Sequence, residues 1–232
     1  MSHVSDVRGM SAPEALAIAR AFLPERRWGN RYHYHYVQAK LRTDPLYPGV
    51  LAVLRESHEP LLDLGCGLGL LAHALRADGQ RRAYLGVDID AGKVHRATRV
   101  AAKAGLADTQ FSVVNVGGAL PPHAGAVALL DVLQFLPADQ QQALLAQAAA
   151  RLQPGAPLVI RTQLAGDHAR GRVTRLADRL SHLVGWMPTA PRHYPSGEGL
   201  LATLARHGLR GHCQPLYGRT PFNNWLVIAH HA

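Results

Sequence analysis

Cysteine is scarce in this sequence: Cys66 and Cys213 are the only two among 232 residues. Two thiols cannot form the disulfide framework of a small secreted protein, so a reducing compartment such as the cytoplasm is expected. The first residues, Met1 to Asp6, also lack the apolar segment of a signal peptide. No uncharged apolar run reaches the roughly 18 residues that a membrane-spanning helix needs, and no transmembrane segment is expected.

Metal-ligand spacings are missing as well, although the chain contains 14 histidines. His33 and His35 lie within an aromatic run, and His230 and His231 are adjacent near the end of the sequence. None of them belongs to an H-E-x-x-H or comparable set. The sequence therefore predicts no metal site.

Aromatic residues make up only 6% of the chain, whereas hydrophobic residues make up 47% and charged residues 18%. This length and composition suit one α/β domain with a core built mainly from Leu, Ala and Val. The net charge of +9 favours acidic partners such as RNA, anionic lipid or an acidic carrier protein. A composition that is simply rich in Arg accounts for the charge equally well.

Strands and helices alternate from residue 60 onward, which indicates parallel βαβ units with helices on both faces of a sheet. The predicted strands span 60–64, 82–87, 111–114, 126–130 and 158–161, and the helices between them span 68–77, 91–104 and 138–152. The last part predicts helices over 173–184 and 199–207, and two strands, 209–216 and 225–229, that can pair in antiparallel fashion. Before residue 58 the pattern favours helices over 13–23, 31–41 and 50–57.

The segment from Leu61 to Leu70 reads L-L-D-L-G-C-G-L-G-L, which indicates a strand, a turn on glycines and the start of a helix. Glycines let the backbone approach a ligand closely, and the first N–H groups of a helix are free to bind it. A dinucleotide fingerprint, G-x-G-x-x-G, needs glycine at Leu70. Because the third glycine, Gly69, comes one place earlier, a nicotinamide dehydrogenase is disfavoured.

With Asp63 ahead of the glycines and Asp88 after the second strand, this segment resembles motif I of class I S-adenosylmethionine-dependent methyltransferases. The resemblance implies an α/β fold with a doubly wound, seven-stranded, mostly parallel sheet whose last strand is antiparallel. It also implies S-adenosyl-L-methionine as cofactor and S-adenosyl-L-homocysteine as product. Residues 1–57 would form an N-terminal helical lid segment of the same domain, and residues 58–232 the donor-binding core.

The resemblance assigns donor-binding roles to Asp63, Gly65, Cys66, Gly67, Gly69, Asp88, Ile89, Asn115, Val116, Asp131 and Lys40. Asp88 would bind the ribose hydroxyls, since a carboxylate offers two acceptor oxygens. Asn115 stands where the family usually has Asp, and its amide oxygen can accept a hydrogen bond from the adenine amino group. Asp131 follows the fourth strand in a segment that resembles motif IV, on the side of the sulfonium and the acceptor. Asp90 is expected to cap the next helix.

Three side chains are candidates for the transfer step itself: His193, Asp131 and Tyr36. Tyr36 and Lys40 lie four apart on a predicted helix, where the resemblance places a lid that would meet the donor's carboxylate. The alternative for this helix is plain packing of its rings on the sheet. His193 lies in a loop beyond the fifth strand, and a histidine side chain suits the role of a general base; an exposed histidine without a role is the alternative.

The expected acceptor is a small or lipid-like hydrophobic molecule, free or borne on an acidic carrier protein. The whole chain loosely resembles bacterial methyltransferases of aryl-polyene or polyketide-like pathways. An RNA or tRNA methyltransferase is the runner-up because of the charge, but nucleic acid is disfavoured. The Asn/Asp-Pro-Pro-Tyr/Phe motif is missing after the fourth strand, where the sequence reads D-V-L-Q from Asp131. A non-catalytic S-adenosylmethionine-binding protein would keep motif I without turnover.

Overall fold

The computed structural model describes residues 8–26, 28–165, 193–218, 220 and 222–232. The basic helix predicted from Val173 to Val184 lies outside these residues, as do Trp186 and Met187, which were considered for an apolar pocket. Within the described residues, no helix is long and apolar enough to cross a membrane.

The described helices and strands follow the predicted order along the chain. The strands are β1 (Leu61–Leu64), β2 (Tyr84–Asp88), β3 (Thr109–Val113), β4 (Ala126–Leu130), β5 (Leu158–Gln163), β6 (Leu209–Pro215) and β7 (Asn224–His231). The α-helices are α1 (Ala12–Ala21), α2 (Tyr32–Thr43), α3 (Leu46–Leu54), α4 (Leu70–Ala77), α5 (Ala91–Lys103), α6 (Ala138–Ala149) and α7 (Gly197–Arg206). A short 3-10 helix, Leu133–Phe135, follows β4.

The strands form one seven-stranded sheet in the order β3-β2-β1-β4-β5-β7-β6. Pairing is parallel from β3 to β5, whereas β7 runs antiparallel to both β5 and β6. The predicted seven-stranded, mostly parallel sheet is therefore confirmed. From β1 the chain moves outward to β2 and β3 and then returns to the other side as β4, so strand order reverses between β1 and β4. Ligands bind at the carboxyl ends of strands at such a reversal.

Helices cover both faces of the sheet, as in a doubly wound fold. Successive side chains of a strand point to opposite faces, and Leu61 and Leu62 accordingly belong to two different hydrophobic clusters. The Leu61 cluster includes apolar residues of α1 to α4 and of α5, and the Leu62 cluster includes those of α6 and α7. The N-terminal helices therefore share a core with the sheet, and their role as a lid stays a prediction.

Helix α3 begins earlier than the predicted 50–57. The side chain of Asp44 accepts a hydrogen bond from the Leu46 N–H at 3.0 Å, which starts the helix there. Pro48 and Gly49 in the sequence suggested that no helix runs through these positions. Pro48 lies in the first turn of α3, however, where the backbone N–H that proline lacks would have no acceptor within the helix. The predicted start at Val50 was therefore wrong.

Candidate functional site

Three glycines shape the turn between β1 and α4. Gly65, Gly67 and Gly69 have φ values of 81°, 55° and 71°, a left-handed region that costs other residues about 1–2 kcal/mol each. A Cβ on Gly65 would lie 2.3 Å from the Val132 side chain, and one on Gly69 would lie 2.7 Å from the Phe111 ring. A Cβ on Gly67 would meet nothing within 4 Å. Two of the glycines are therefore required by packing, while the backbone of Gly67 faces open space.

Asp88, at the end of β2, is tied directly to this turn. Its Oδ2 accepts the Gly67 N–H at 2.8 Å and its Oδ1 accepts the Asp90 N–H at 2.9 Å. The residue is only 8% exposed. A carboxylate oxygen can accept a second hydrogen bond, so each oxygen can still take a ligand hydroxyl. Asp90 caps α5 through the Gly92 and Lys93 N–H groups, which confirms the sequence prediction for it.

Asp63, on β1, is buried with one oxygen unsatisfied. Its Oδ2 accepts the Tyr84 hydroxyl at 2.5 Å, whereas Oδ1 has no hydrogen-bond partner among the described residues. Burial raises the pKa of Asp63 to about 7, and the charge of Asp88 adds to the effect while the Tyr84 hydrogen bond opposes it. A buried carboxylate that lacks a partner is costly. The site thus fits a ligand that brings a hydrogen-bond donor or a positive charge.

The residues predicted for the adenine side lie on the surface after β2 and β3. Ile89 follows Asp88 and is 66% exposed, an unusual position for a large apolar side chain. Asn115 is exposed, and its Oδ1 accepts the Gly117 N–H at 2.9 Å. A bond from an adenine amino group would therefore use the second lone pair of this oxygen. Val116 is half-buried beside it.

Asp131, just after β4, and Arg161, within β5, form an ion pair that the sequence analysis missed. Asp131 has a left-handed backbone, with φ of 61°, and its N–H donates to the Arg161 carbonyl at 2.9 Å. The Asp131 Oδ1 lies 3.0 Å from the Arg161 Nε. The side chain of Arg161 is 5% exposed and that of Asp131 is 30% exposed. Arg161 therefore holds a carboxylate that still reaches solvent.

Arg161 also connects the sheet to the N-terminal helices. Its Nη1 donates to Asp44 Oδ1 at 2.6 Å, and Lys40 Nζ donates to Asp44 Oδ2 at 2.5 Å. Burial alone would raise the pKa of Asp44, but the charges of Arg161 and Lys40 outweigh it and hold that pKa well below its usual range. Asp44 is therefore ionised. Lys40, which was predicted to bind the methyl donor, pairs with Asp44 in this structure.

Tyr36 lies near this chain of charges. Burial raises its pKa above the ordinary value for a tyrosine, and Lys40 only partly offsets the effect. The hydroxyl thus stays protonated near neutral pH and can donate or accept a hydrogen bond. An anionic base role for Tyr36 is disfavoured by the same burial.

His193 is anchored to this region through its backbone. Its N–H donates to the Gln134 carbonyl at 3.3 Å, and its carbonyl accepts the Gln141 side-chain N–H at 3.1 Å. The residue is exposed. Among the described residues its ring makes no hydrogen bond to Asp131 or Tyr36, so the structure brings the loop of His193 to the end of β4 without joining the three candidates directly.

Asp63→Asn is expected to raise the free energy of unfolding above about pH 7. At such a pH wild type must bury a charged carboxylate, whereas the variant buries a neutral amide. The folded pKa lies above the unfolded value of about 3.9, so wild type loses stability as pH rises between the two values. Urea denaturation of both proteins should show almost no difference at about pH 4 and a difference in favour of the variant at alkaline pH. Equal stabilities at every pH would contradict a buried carboxylate whose Oδ1 has no hydrogen-bond partner.

Comparison with known proteins agrees with this geometry. A sequence profile described as methyltransferase domain matches residues 33–214. No curated protein sequence matches the chain. A magnesium protoporphyrin IX methyltransferase from Synechocystis PCC 6803, solved with bound S-adenosylhomocysteine, has a similar structure at 16% identity. Its TM-score is 0.63, and 93% of each chain is covered.

Two O-methyltransferases of larger size share the fold. The mitomycin 7-O-methyltransferase has a TM-score of 0.64 at 22% identity, covering 87% of this chain and 57% of that one. An O-methyltransferase from neocarzinostatin biosynthesis, solved with S-adenosyl-L-homocysteine and 1,4-dihydroxy-2-naphthoic acid, has a TM-score of 0.60 at 21% identity, covering 85% and 56%. This chain thus spans just over half the length of both. Since the profile covers most of the sequence, the chain belongs to the methyltransferase domain family, in its class I, Rossmann-like form.

Proposed function

We propose that this protein transfers a methyl group from S-adenosylmethionine to a small hydrophobic molecule. The observation that carries the proposal is the pair of acids around the glycine turn: Asp88 with both oxygens fixed, and Asp63 with one buried oxygen unsatisfied. Asp63 suits the ammonium group of the donor, and Asp88 suits two neighbouring hydroxyls. When bound, the donor supplies a methyl group activated on a sulfonium.

The remaining donor contacts are part of the same proposal. Gly67 would leave room for the methionine chain beside Cys66, because a Cβ at this position would meet nothing within 4 Å. Ile89 and Val116 would pack against the adenine, and Asn115 would accept from its amino group. Lys40 keeps 26% of its side chain exposed while it pairs with Asp44, and it is the cation proposed for the donor's carboxylate.

On the transfer side, the residues of this chain would act mainly by positioning. Arg161 fixes the carboxylate of Asp131 from a buried site, and a fixed geometry removes much of the entropic cost of bringing two ligands together. Tyr36, kept protonated by burial, can orient the acceptor or the donor by a hydrogen bond. His193 would take the proton from a hydroxyl group of the methyl acceptor. This step is required only when the atom that receives the methyl group must lose a proton.

The proposed acceptor is a small aromatic or lipid-like molecule, free or carried on an acidic protein, in a cytoplasmic reaction. Two observations support this class of acceptor: a structural neighbour was solved with 1,4-dihydroxy-2-naphthoic acid, and the net charge of +9 suits an acidic carrier. The same charge is the one observation in favour of an RNA acceptor.

Methyl transfer from labelled S-adenosylmethionine should separate these acceptors. We expect transfer to 1,4-dihydroxy-2-naphthoic acid or to an aryl thioester on an acyl carrier protein, and none to tRNA. Wild type without acceptor and the Asp88→Ala variant with acceptor supply the background. Transfer to tRNA alone would contradict the proposed acceptor class, and transfer to none of the three would contradict the enzyme assignment with these substrates.

Arg161→Met is expected to destabilise the protein by about 3–5 kcal/mol, because it leaves the buried carboxylate of Asp44 without its main partner. The double variant Arg161→Met/Asp44→Asn should regain most of this loss, since it buries no unpaired charge and its amide oxygen can still accept the Leu46 N–H. Urea denaturation of the two single variants and the double variant measures the coupling. Additive losses would mean that Asp44 and Arg161 do not stabilise each other.

A further inference from the structure

A second concave site lies away from the glycine turn, between the end of α1, the loop to α2 and the second half of α5. Its cavity volume is about 280 Å³. We call it the basic pocket, and its charged or titratable lining consists of Arg26, Arg96, Arg99, Lys103, Glu25 and His33. It shares no residue with the set predicted to bind the methyl donor.

The cations of the basic pocket lie close enough together to repel one another. Arg96, Arg99 and Lys103 are three and four positions apart, so they share one face of α5, where like charges destabilise a helix. Arg26 faces them from the loop. Four cations therefore meet around one cavity, and Glu25 is the one acid among the described residues of its lining.

Among the described residues, the cations of the basic pocket have no ion-pair partner, unlike two arginines elsewhere in the fold. Arg55 pairs with Asp78, and Arg161 pairs with Asp44 and Asp131. Arg26, Arg96 and Arg99 form no ion pair with any described carboxylate. Lys103 donates to the Leu23 carbonyl at 2.9 Å, which is a neutral partner. The guanidinium groups of these three arginines therefore have no described counter-charge and can take an anion from outside the chain.

The other walls define what kind of ligand fits. Phe22 and Val100 belong to the cavity lining and are only 6% and 5% exposed, so part of the pocket wall is apolar and shields the cations from water on that side. The Nδ1 atom of His33 is buried without a hydrogen-bond partner. Burial and the charge of Arg96 lower the pKa of His33, so the ring is a neutral hydrogen-bonding group there in the free protein.

We propose that the basic pocket binds the phosphate group of a small phosphorylated molecule, held by Arg96 and Arg99 from α5 and by Arg26 from the loop. Guanidinium groups match phosphate oxygens with two parallel hydrogen bonds each. Several cations around one cavity favour a multiply charged anion over a single carboxylate. The site goes beyond the proposed methyl transfer, because S-adenosylmethionine carries no phosphate.

Thermal unfolding and calorimetry with inorganic pyrophosphate test the proposal, with sodium chloride at equal ionic strength as the reference. Pyrophosphate should raise the Tm of wild type, because it binds only the folded state. In Arg99→Gln the affinity should fall by about 10- to 100-fold, the loss expected for one charged hydrogen-bonding partner. Without pyrophosphate the same variant should have a higher Tm than wild type, since it relieves repulsion along α5.

Arg210→Gln is the matched control, because Arg210 is an exposed arginine on β6 at the other end of the sheet. It should bind pyrophosphate like wild type. An equal loss of affinity in both variants, or no pyrophosphate effect beyond that of sodium chloride on wild type, would overturn the proposal. Titration with S-adenosylhomocysteine distinguishes the two sites. Arg99→Gln should leave the affinity for S-adenosylhomocysteine unchanged. If S-adenosylhomocysteine does not bind wild type, that result concerns only the donor site.

A lipid headgroup offers the same phosphate chemistry as a free molecule. Sedimentation with phosphatidylcholine vesicles, with and without phosphatidic acid, distinguishes these sources. Pyrophosphate binding without vesicle binding assigns the pocket to a free phosphorylated molecule. Vesicle binding that requires phosphatidic acid and is lost in Arg99→Gln assigns it to a lipid headgroup.

Discussion

The hydrogen bond from the Gly67 N–H to Asp88 is the contact on which the site depends, because it joins the turn after β1 to the end of β2. Further contacts hold the turn: the Gly65 and Cys66 N–H groups donate to the Val87 carbonyl of β2, and Gly65 and Gly69 leave no room for a Cβ beside Val132 and Phe111. Residues of β2, β3 and the end of β4 thus fix one backbone path.

Four carboxylates around this end of the sheet differ because their surroundings differ. Asp63 is buried with a tyrosine hydroxyl and no cation, so its pKa rises to about 7. Asp44 is buried as well, but Arg161 and Lys40 keep it ionised. Asp88 is held by two backbone N–H groups, and Asp131 lies against Arg161 at the surface. The cations and hydrogen-bond donors around each carboxylate, and not its burial alone, therefore decide which carboxylate favours a cationic ligand.

The features that the sequence predicted well are local ones. The glycine spacing, Asp88 and the cap at Asp90 lie within one strand–turn–helix–strand unit, and alternating apolar patterns placed the strands in order. The pair of Asp44 and Arg161 joins residues 117 positions apart, and no short pattern encodes such a contact. One signal was present nonetheless: an arginine in the apolar strand L-V-I-R-T-Q requires a buried partner. The basic pocket depends on how a loop packs against α5, which periodicity does not reveal.

Isothermal titration with S-adenosylhomocysteine of wild type, Asp88→Ala and Asp90→Ala tests the central claim most directly. Asp88 and Asp90 lie two positions apart, but only Asp88 is assigned to the donor, whereas Asp90 caps α5. The account predicts binding by wild type and Asp90→Ala, and a loss of about 1–3 kcal/mol in Asp88→Ala. Equal affinities of all three proteins, or no binding by folded wild type, would contradict a donor site at the glycine turn.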